Sequence, residues 1–344
     1  MLDNLTHFRY FYLMILVTGA TGLVGFHLLF ELAKEDTPVR ALYRSATKKK
    51  HVYNLFATQG LTATFEKIDW VEADILDIPK LEEAFQGITQ VYHCAALISF
   101  DPKDEVKLYQ NNIVGTANVV NLCLAFEVEK LCYVSSIATL GAGNPSNWQV
   151  TEDTERNMEN LYSDYSITKY GAELEVWRGQ QEGLNVVVVN PGVVFGDGFY
   201  TSGSSVFFNM CKKGLSFYTL GTVAIVAVED VVKSMVRAMN SSSSGEHFIV
   251  VAENWTYRQL FDTLTEALEA KKPSFEAKPW LTSIIWKLDW FLATFLGKKR
   301  TLTQATALAL HDQSWVDASK LKTAFGIQFR PMRDYLFELA KKHK

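Results

Sequence analysis

The sequence predicts an α/β protein: a doubly wound parallel sheet followed by a smaller, mostly helical C-terminal region. Three observations lead to this prediction. Short β-branched runs alternate with longer helical patterns through the first 250 residues, a glycine-rich turn follows the first run, and the alternation loosens after Pro191. Nearly continuous apolar strands separated by helices are typical of a parallel sheet that is covered on both faces.

Composition and charge exclude several classes of protein. The 344 residues are 48% hydrophobic and 21% charged, which suits a folded chain with a sizeable core rather than a disordered one. The 34 Lys and Arg residues against 38 Asp and Glu give a net charge of −4, so no basic field attracts nucleic acid. Four scattered cysteines without a C-x-x-C pair favour buried free thiols and no metal site, as in a cytoplasmic protein.

Residues 1–13 are predicted to be an N-terminal extension. Segment 8–17 is apolar enough to suggest an export signal, but no small-residue cleavage site follows it. Met14 begins MILVTGATGLVG, a natural start for a nucleotide-binding domain. No transmembrane segment is predicted, because the most apolar later run, 280–297, is interrupted by Lys287 and Asp289.

Seven β-branched runs are predicted as strands of the sheet. They are Ile15–Thr18, Val39–Tyr43, Ile68–Glu72, Gln90–His93, Lys130–Ser135, Asn185–Asn190 and Glu246–Val251. The predicted nucleotide-binding domain comprises residues 14–190 and 228–252. Residues 191–227 and 253–344 are predicted to form a substrate-binding region at the carboxyl ends of the strands.

The turn after the first strand has the pattern G-x-x-G-x-x-G, formed by Gly19, Gly22 and Gly25. A dinucleotide pyrophosphate needs a tight turn, a closely approachable backbone and the positive end of a helix, and these glycines supply all three. The strand before and the leucine-rich helix after the turn indicate a Rossmann-type domain. The predicted cofactor contacts in this turn are Gly19, Thr21, Gly22, Leu23, Val24 and Gly25.

The end of the second strand bears on the choice of cofactor. The segment VRALYR offers no Asp or Glu to hold an unmodified ribose, and Arg44 stands there instead, followed by Ser45 and Lys48–Lys50. A guanidinium binds a 2′-phosphate with charge-assisted bonds, so NADP(H) is preferred, with NAD(H) possible. The alternative is that Arg44 and the lysines form only a solvated loop.

The segment after the third strand is predicted to hold the adenine end of the cofactor. Asp74 and Ile75 follow that strand, and the Asp74 carboxylate is placed to accept a hydrogen bond from the adenine amino group. An ordinary loop aspartate is the competing interpretation.

Tyr165 and Lys169 form Y-x-x-x-K in a helical stretch, which puts the phenol and the ammonium on one helix face. We expect the charge of Lys169 to lower the pKa of Tyr165, making the phenol usable as a proton donor or acceptor near neutral pH. Ser135 and Ser136 end the fifth strand, where a hydroxyl can hold the carbonyl oxygen that receives hydride.

These motifs resemble those of an extended short-chain dehydrogenase/reductase, in the NAD-dependent epimerase/dehydratase superfamily. The resemblance covers about residues 14–252 and rests on TGATGLVG, DIL at 74–76, HCAAL at 93–97, NIVGT at 112–116, YVSSIATLG, YSITK and NPGVVFG at 190–196. It implies that Ser136, Tyr165 and Lys169 are catalytic. It also implies that Asn112 organises the helix beneath the site. The further cofactor contacts that it implies are Ala95 and Ala96 at the nicotinamide ribose, and Pro191, Gly192, Val193 and Val194 at the carboxamide.

Differences within the superfamily narrow the expected reaction. Dehydratases commonly have Thr-Asp-Glu where this chain has Ser-Ser-Ile at 135–137, and epimerases tend to have Arg where Asn190 stands. The sequence is more similar to dihydroflavonol 4-reductase-like and 3β-hydroxysteroid dehydrogenase-like members. We therefore expect hydride transfer to a ketone or aldehyde, or from a secondary alcohol, of a medium-sized, partly apolar molecule. The alternatives are an NAD-dependent nucleotide-sugar epimerase and a catalytically silent NADP sensor.

Two further features concern partners. The aromatic segment 280–297 is predicted to be an amphipathic helix, with three interpretations: a helix packed on its own domain, a lid over the substrate, or a helix that lies with Lys298, Lys299 and Arg300 against a membrane surface. The resemblance also implies a possible homodimer that pairs through the helices around 104–126 and 160–180.

Overall fold

A seven-stranded, entirely parallel sheet forms the centre of the computed structural model, which describes residues 14–35, 37–143, 148–200, 203–296 and 302–343. The predicted extension 1–13 and the basic residues 298–300 lie outside the described residues. The described residues form these strands: β1 (Ile15–Thr18), β2 (Val39–Tyr43), β3 (Asp69–Glu72), β4 (Gln90–His93), β5 (Lys130–Val134), β6 (Gln149–Val150), β7 (Val186–Pro191), β8 (Val193–Phe195), β9 (Phe217–Tyr218), β10 (Thr222–Ala227), β11 (Glu246–Val250), β12 (Glu253–Thr256), β13 (Phe275–Glu276) and β14 (Trp315–Val316).

Helices cover both faces of the central sheet and make up most of the C-terminal region. They are α1 (Leu23–Leu32), α2 (Ala46–Thr58), α3 (Thr62–Lys67), α4 (Ile78–Phe85), α5 (Glu105–Leu108), α6 (Gly115–Ala125), α7 (Asp164–Gln181), α8 (Ser205–Lys212), α9 (Val228–Met239), α10 (Tyr257–Ala267), α11 (Pro279–Leu296), α12 (Gln304–Ala309), α13 (Ser319–Phe325) and α14 (Met332–Lys342). A π-helical segment, Tyr109–Val114, joins α5 to α6, and short 3₁₀ turns occur at Ala33–Glu35, Pro102–Asp104 and Ile137–Thr139.

The strand order of the central sheet is β11-β7-β5-β4-β1-β2-β3. The order reverses beside β1, where Ile15 is paired with Val39 of β2 on one side and with Gln90 of β4 on the other. In doubly wound sheets, ligands bind at the carboxyl ends of the strands at such a switch point. All seven predicted strands lie in this sheet, with ends that differ by at most one residue, and the predicted fold class is confirmed.

The sheet has a hydrophobic core on each face. The neighbouring residues Leu16 and Val17 of β1 are both fully buried, but they belong to different clusters. Val17 belongs to the cluster that contains Phe56 of α2 and Met235 of α9, whereas Leu16 belongs to the cluster that contains Val176 of α7. Burial on both faces explains why the strands are continuous apolar runs rather than alternating ones.

The C-terminal region contains smaller sheets and a core of its own. The order of its three-stranded sheet is β12-β10-β8, with β8 parallel and β12 antiparallel to β10. Phe195, Trp255, Leu264 and Leu336 are buried together between this sheet and helices α10 and α14. Two-stranded pairs join β9 to β13 and β6 to β14. The division of the chain into two domains stays a prediction.

Helix α11 confirms that the aromatic segment is helical, while the three interpretations of its role stay open. Of the side chains described in α11, Thr282 alone is buried, while the large apolar ones are mostly exposed. One side of α11, with Thr282 and the partly buried Trp286, packs on its own region against α12, while the opposite side is exposed. No helix in the described ranges has the length and apolar character needed to cross a membrane.

The cysteines agree with the expectation of buried free thiols. Cys123, Cys132 and Cys211 are buried and Cys94 is partly buried, all without a disulfide. Burial raises the pKa of the Cys132 and Cys211 thiols to about 12, so neither is a reactive thiolate at neutral pH.

Exposed apolar side chains occur on the helices that were predicted to pair in a homodimer. Val106 lies on α5, Tyr109 on the π-helical segment, and Ile167 and Leu174 on α7. Exposed apolar side chains of this size suit contact with a second subunit. The homodimer stays a prediction.

Candidate active site

The three glycines of the first turn differ in how closely the surrounding backbone approaches them. Gly19 has a positive φ of 66°, and a Cβ there would lie 2.6 Å from the backbone nitrogen of Ala95. A Cβ on Gly25 would lie 2.3 Å from the carbonyl oxygen of Gly19. A Cβ on Gly22 would meet nothing closer than 3.4 Å. The fold itself therefore requires glycine at positions 19 and 25, whereas position 22 is left open at the start of α1.

This opening fits an anionic ligand. Gly22 is the N-cap of α1, no acidic side chain occurs in the first helical turn, and Gly22 itself is exposed. The first amide groups of a helix have no intrahelical acceptor and carry the positive end of the helix dipole. Thr21, Leu23 and Val24, the other predicted contacts, are partly exposed around it. The arrangement suits a dinucleotide pyrophosphate.

A buried hydrogen-bond chain fixes the end of β4 beside this turn. The backbone nitrogen of Ala95 donates to Thr18 Oγ1 at 3.3 Å, and Thr18 Oγ1 lies 2.6 Å from His93 Nδ1. His93 Nε2 lies 3.0 Å from Thr116 Oγ1, and burial lowers the pKa of His93 to about 3. His93 is thus a neutral, structural residue, while Ala96 is exposed at the edge of the site.

Arg44 and Asp74 meet at the carboxyl ends of β2 and β3. Arg44 Nη1 donates to Asp74 Oδ2 at 3.1 Å and to Asn111 Oδ1 at 2.8 Å, and the Arg44 side chain is 52% exposed. Asp74 Oδ1 also accepts from the backbone nitrogen of Leu76 at 3.0 Å. Sequence reasoning did not identify Asn111, because its side chain reaches Arg44 from a helix more than sixty residues later.

The residues around Arg44 differ in their access to a ligand. Ser45 is the N-cap of α2, and its side chain accepts from the backbone nitrogen of Lys48. Lys48 and Lys50 are exposed, but the ammonium of Lys49 lies 4.7 Å from the centre of the Tyr43 ring, at the edge of the sheet. Lys49 is therefore occupied in a cation–π contact rather than placed beside Arg44.

Ile75 is a residue of the hydrophobic core rather than an open residue of the candidate cofactor site. Its side chain is buried, and its carbonyl oxygen accepts from Asn118 Nδ2 at 2.9 Å. A Cβ on Gly115 of α6 would lie 2.4 Å from Ile75 Cδ1, so the glycine makes room for this side chain. The predicted cofactor contact of Ile75 stays a prediction.

Ser136 and Tyr165 are brought together between β5 and α7. Ser136 follows β5, and Tyr165 lies in the first turn of α7, which Ser163 caps. The Ser136 hydroxyl lies beside the Tyr165 phenol, close enough to lower its pKa. Burial raises the pKa of Tyr165 above its ordinary value, and Ser136 offsets this in part. A tyrosine beside a serine can exchange a proton with an oxygen that both contact.

Lys169 lies one turn further along α7 and is almost completely buried. Its Nζ donates to the phenol oxygen of Tyr133 at 2.6 Å and to the carbonyl oxygen of Val134 at 2.8 Å. Burial lowers the pKa of Lys169 to about 7, against the opposing charge of Glu173. The expectation that Lys169 lowers the pKa of Tyr165 is wrong for this structure. The ammonium is directed to β5, and burial governs the Tyr165 phenol, whose pKa is raised.

Glu173 is a buried carboxylate that sequence reasoning missed. Its Oε2 accepts from Ser135 Oγ, from Thr139 Oγ1 at 2.9 Å and from Asn190 Nδ2 at 3.0 Å. Glu173 lies four residues after Lys169, so the signal was present as Y-x-x-x-K-x-x-x-E, three residues on one helix face. This carboxylate joins α7 to the ends of β5 and β7.

Asn112 connects the segment after β4 to helix α7. It lies in the π-helical segment, where Asn112 Oδ1 accepts from the Leu97 nitrogen at 2.7 Å and Nδ2 donates to Thr168 Oγ1 at 3.1 Å. Single π turns inside helices occur often at functional sites. The side chain thereby ties the segment after β4 to the helix that holds Tyr165 and Lys169.

The segment from Pro191 to Val194 runs from β7 into β8, along the same edge of the sheet. A Cβ on Gly192 would lie 2.5 Å from the Ala224 carbonyl oxygen, so this passage requires glycine. Val193 and Val194 are partly exposed. The structure thus places all the predicted groups along the carboxyl ends of the strands, as a dinucleotide site requires.

Comparison with known proteins supports this geometry. The model of the NAD dependent epimerase/dehydratase family matches residues 15–252. A putative dihydroflavonol 4-reductase of Synechocystis sp. is 26% identical over 318 residues, covering 90% of this chain and 89% of that protein. Tetraketide alpha-pyrone reductase 2 of Arabidopsis thaliana is 28% identical over 251 residues, covering 68% of this chain and 76% of that protein.

Solved structures share the fold. UDP-glucose 4-epimerase of Thermotoga maritima has a TM-score of 0.76 at 20% identity, covering 96% of this chain and 98% of that one. UDP-glucuronic acid 4-epimerase of Bacillus cereus, in complex with UDP-glucuronic acid and NAD, has a TM-score of 0.73 at 19% identity, covering 96% and 100%. The chain therefore belongs to the NAD-dependent epimerase/dehydratase family, as an NAD(P)-dependent oxidoreductase of the extended short-chain dehydrogenase/reductase type.

Proposed function

We propose that the protein is an NADP(H)-dependent oxidoreductase that interconverts a ketone or aldehyde and the corresponding alcohol on a medium-sized, partly apolar molecule. The observation that carries this proposal is the pairing of Ser136 with Tyr165, at the edge of the sheet that also holds the glycine turn. Two neighbouring hydroxyl groups are a suitable arrangement for binding one carbonyl oxygen.

Each residue has a defined part in the reaction. Ser136 donates a hydrogen bond to the substrate oxygen and orients it. Tyr165 gives its phenolic proton to that oxygen during reduction and takes it back during oxidation. Lys169 would donate a hydrogen bond to the nicotinamide ribose. The bound nicotinamide ring supplies or accepts the hydride.

Arg44 supports a preference for NADP(H). Its guanidinium is half exposed at the end of β2, next to Ser45 at the N-terminus of α2. Both features favour a phosphate group, by charge-assisted hydrogen bonds and by the helix dipole. The carboxylate that pairs with Arg44, that of Asp74, follows the neighbouring strand β3 and is not at the end of β2 itself.

The side chains around Tyr165 support a partly apolar substrate. The Phe100 ring lies 5.8 Å from that of Tyr165 and is 49% exposed, and Ile98 is exposed close by in the sequence. Apolar groups of this kind favour an aromatic or aliphatic substrate over a nucleotide sugar. The two curated relatives named above are reductases by name, which supports reduction over epimerisation.

The reaction is tested by following NADPH absorbance in the presence of aromatic and alicyclic ketones and aldehydes. We expect oxidation of NADPH by the wild type and a loss of at least about a hundredfold in Tyr165→Phe, because the proton donor is removed. Tyr162→Phe, on a nearby tyrosine outside the proposed machinery, is the control. NAD that stays bound through purification, together with epimerisation of a UDP-sugar, would instead favour the epimerase alternative.

A further inference from the structure

Helix α11 exposes an apolar stripe along its outer side. The stripe consists of large side chains that are 48–64% exposed: Trp280, Ile284, Leu288, Phe291 and Phe295. Their spacing of four, four, three and four residues places them in one line along the helix. The stripe runs from residue 280 to residue 295 of this eighteen-residue helix, about 22 Å along its axis. An apolar surface of this extent indicates an interaction site.

The side of α11 that faces the protein carries Thr282, Asp289 and one aromatic residue, Trp286, which is partly buried. Thr282, the buried residue of the helix, is hydrogen-bonded through Oγ1 to His311 Nε2 at 2.9 Å. Asp289 Oδ2 accepts from the backbone nitrogen of Leu302 at 3.0 Å. The helix packs mainly against α12. Most of the large apolar side chains of α11 therefore lie on its outer side, which is unusual for a surface helix.

The charge of the residues around the stripe bears on whether lipid or a second copy of the chain binds there. Lys278 and Lys287 are exposed, one directly before α11 and the other next to Leu288 in the sequence. Residues 271–296, which the structure describes, include four basic and two acidic residues, a net charge of +2, although the whole chain has −4.

This charge favours lipid over a second copy of the chain. Two copies that met through α11 would bring two positive segments together, and like charges at an interface are unfavourable. An anionic bilayer surface matches both properties, since tryptophan and phenylalanine enter the headgroup region while lysines bind the phosphates. Lys287 and Asp289 in the middle of α11 suit a helix that lies on a membrane rather than one that crosses it.

We propose that α11 is an interfacial membrane-binding helix, which lies in the plane of an anionic lipid surface with its outer stripe inserted. The proposal goes beyond the proposed reaction and does not depend on it. It gives the protein a peripheral attachment to membrane, at a helix that contributes none of the residues assigned to the cofactor or to catalysis.

Co-sedimentation of the full chain with vesicles tests this proposal. The vesicles are pure phosphatidylcholine, or phosphatidylcholine with one quarter phosphatidylglycerol, at low and high salt. We expect the protein to pellet with the anionic vesicles, and less with neutral vesicles or at high salt. Ile284→Ser with Leu288→Ser and Phe291→Ser should weaken binding by about tenfold or more, because three inserted side chains are lost. Lys278→Glu with Lys287→Glu should remove the preference for anionic lipid.

Matched controls keep the test specific. Ile78→Ser with Val206→Ser removes two apolar side chains of similar exposure outside this segment, and should leave vesicle binding unchanged. Circular dichroism and light scattering of each variant report folding and molecular mass. Absence of wild-type binding to anionic vesicles would overturn the proposal. So would a triple variant that binds vesicles as the wild type does, or one whose only change is a smaller oligomer.

Discussion

Lys169 donates a hydrogen bond of 2.6 Å to the phenol oxygen of Tyr133, and its ammonium lies 4.3 Å from the centre of the same ring. This contact joins α7, which carries Tyr165, to β5, which leads to Ser136. Both partners are nearly inaccessible to water, so the contact is made in a medium of low polarity, where it is strong. It sets the position of the helix on which the proposed catalysis depends.

Tyr133→Phe is expected to lower the free energy of unfolding by about 1–3 kcal/mol, because it removes a buried acceptor from a charged donor. The variant should also lower the pKa of Lys169 further, since the ammonium then has one acceptor fewer. Urea unfolding and the pH dependence of kcat/KM measure the two effects. Tyr43→Phe, whose hydroxyl lies at the exposed edge of the sheet, should change stability by no more than about 0.5 kcal/mol.

Glu173→Gln is expected to weaken the connection between α7, β5 and β7. The amide has the size of the carboxylate but cannot accept the same three hydrogen bonds at Oε2, and a loss of about 1–3 kcal/mol in unfolding free energy follows. Glu173 raises the pKa of Lys169, so its removal should move the alkaline limb of the activity profile to lower pH. Glu175→Gln, on the exposed side of the same helix, should leave both the profile and the stability nearly unchanged.

The pH dependence of stability should reveal the buried ammonium of Lys169. Its pKa is about 7 in the folded protein and near 10.5 in the unfolded chain, so the unfolded state binds more protons between these values. Wild-type stability should therefore rise relative to Lys169→Met as the pH increases from about 7 to about 10, and the difference should be constant below the folded pKa. Denaturant unfolding at a series of pH values measures this, with Lys80→Met as the surface control. A flat difference from pH 7 to 10 would contradict the assigned shift.

The glycine turn allows a test that separates folding from binding. Gly25→Ala should destabilise the protein by about 1–3 kcal/mol, because its Cβ would overlap the Gly19 carbonyl. Gly22→Ala should fold with nearly wild-type stability but bind NADPH on the order of tenfold more weakly, since its Cβ takes up space needed by the pyrophosphate. Thermal unfolding and NADPH titration of both variants distinguish these outcomes. Equal behaviour of the two variants would show that position 22 is not part of the cofactor site.

The sequence predicted the fold well, because buried parallel strands must be apolar and β-branched throughout, and such runs are visible without any tertiary information. Tyr165 and Lys169 were found for a similar reason, since their relation is local to one helix. Tyr133 and Glu173 were missed because their importance comes from contacts across the structure. Tyr133 looks like one more strand residue, and Glu173 looks like an ordinary charge on a helix.

The aromatic segment 280–297 shows that amino-acid composition does not predict which side chains are buried. Its sequence predicted a helix, and α11 is one, but the same apolar side chains would suit either a buried or an exposed face. Only packing decides between these, and α11 has α12 as its main neighbour. Similarly, the effect of Lys169 on Tyr165 depends on where the ammonium points, which the spacing of the two residues does not determine.

The central claim is tested most directly by calorimetric titration of the wild type and Arg44→Ala with NADPH and NADH under the same conditions. We expect the wild type to bind NADPH more tightly, by about tenfold or more, and the variant to lose that preference while its affinity for NADH stays the same. Equal binding of the two cofactors by the wild type, or NAD retained through purification, would contradict the assignment of Arg44 and favour the epimerase alternative.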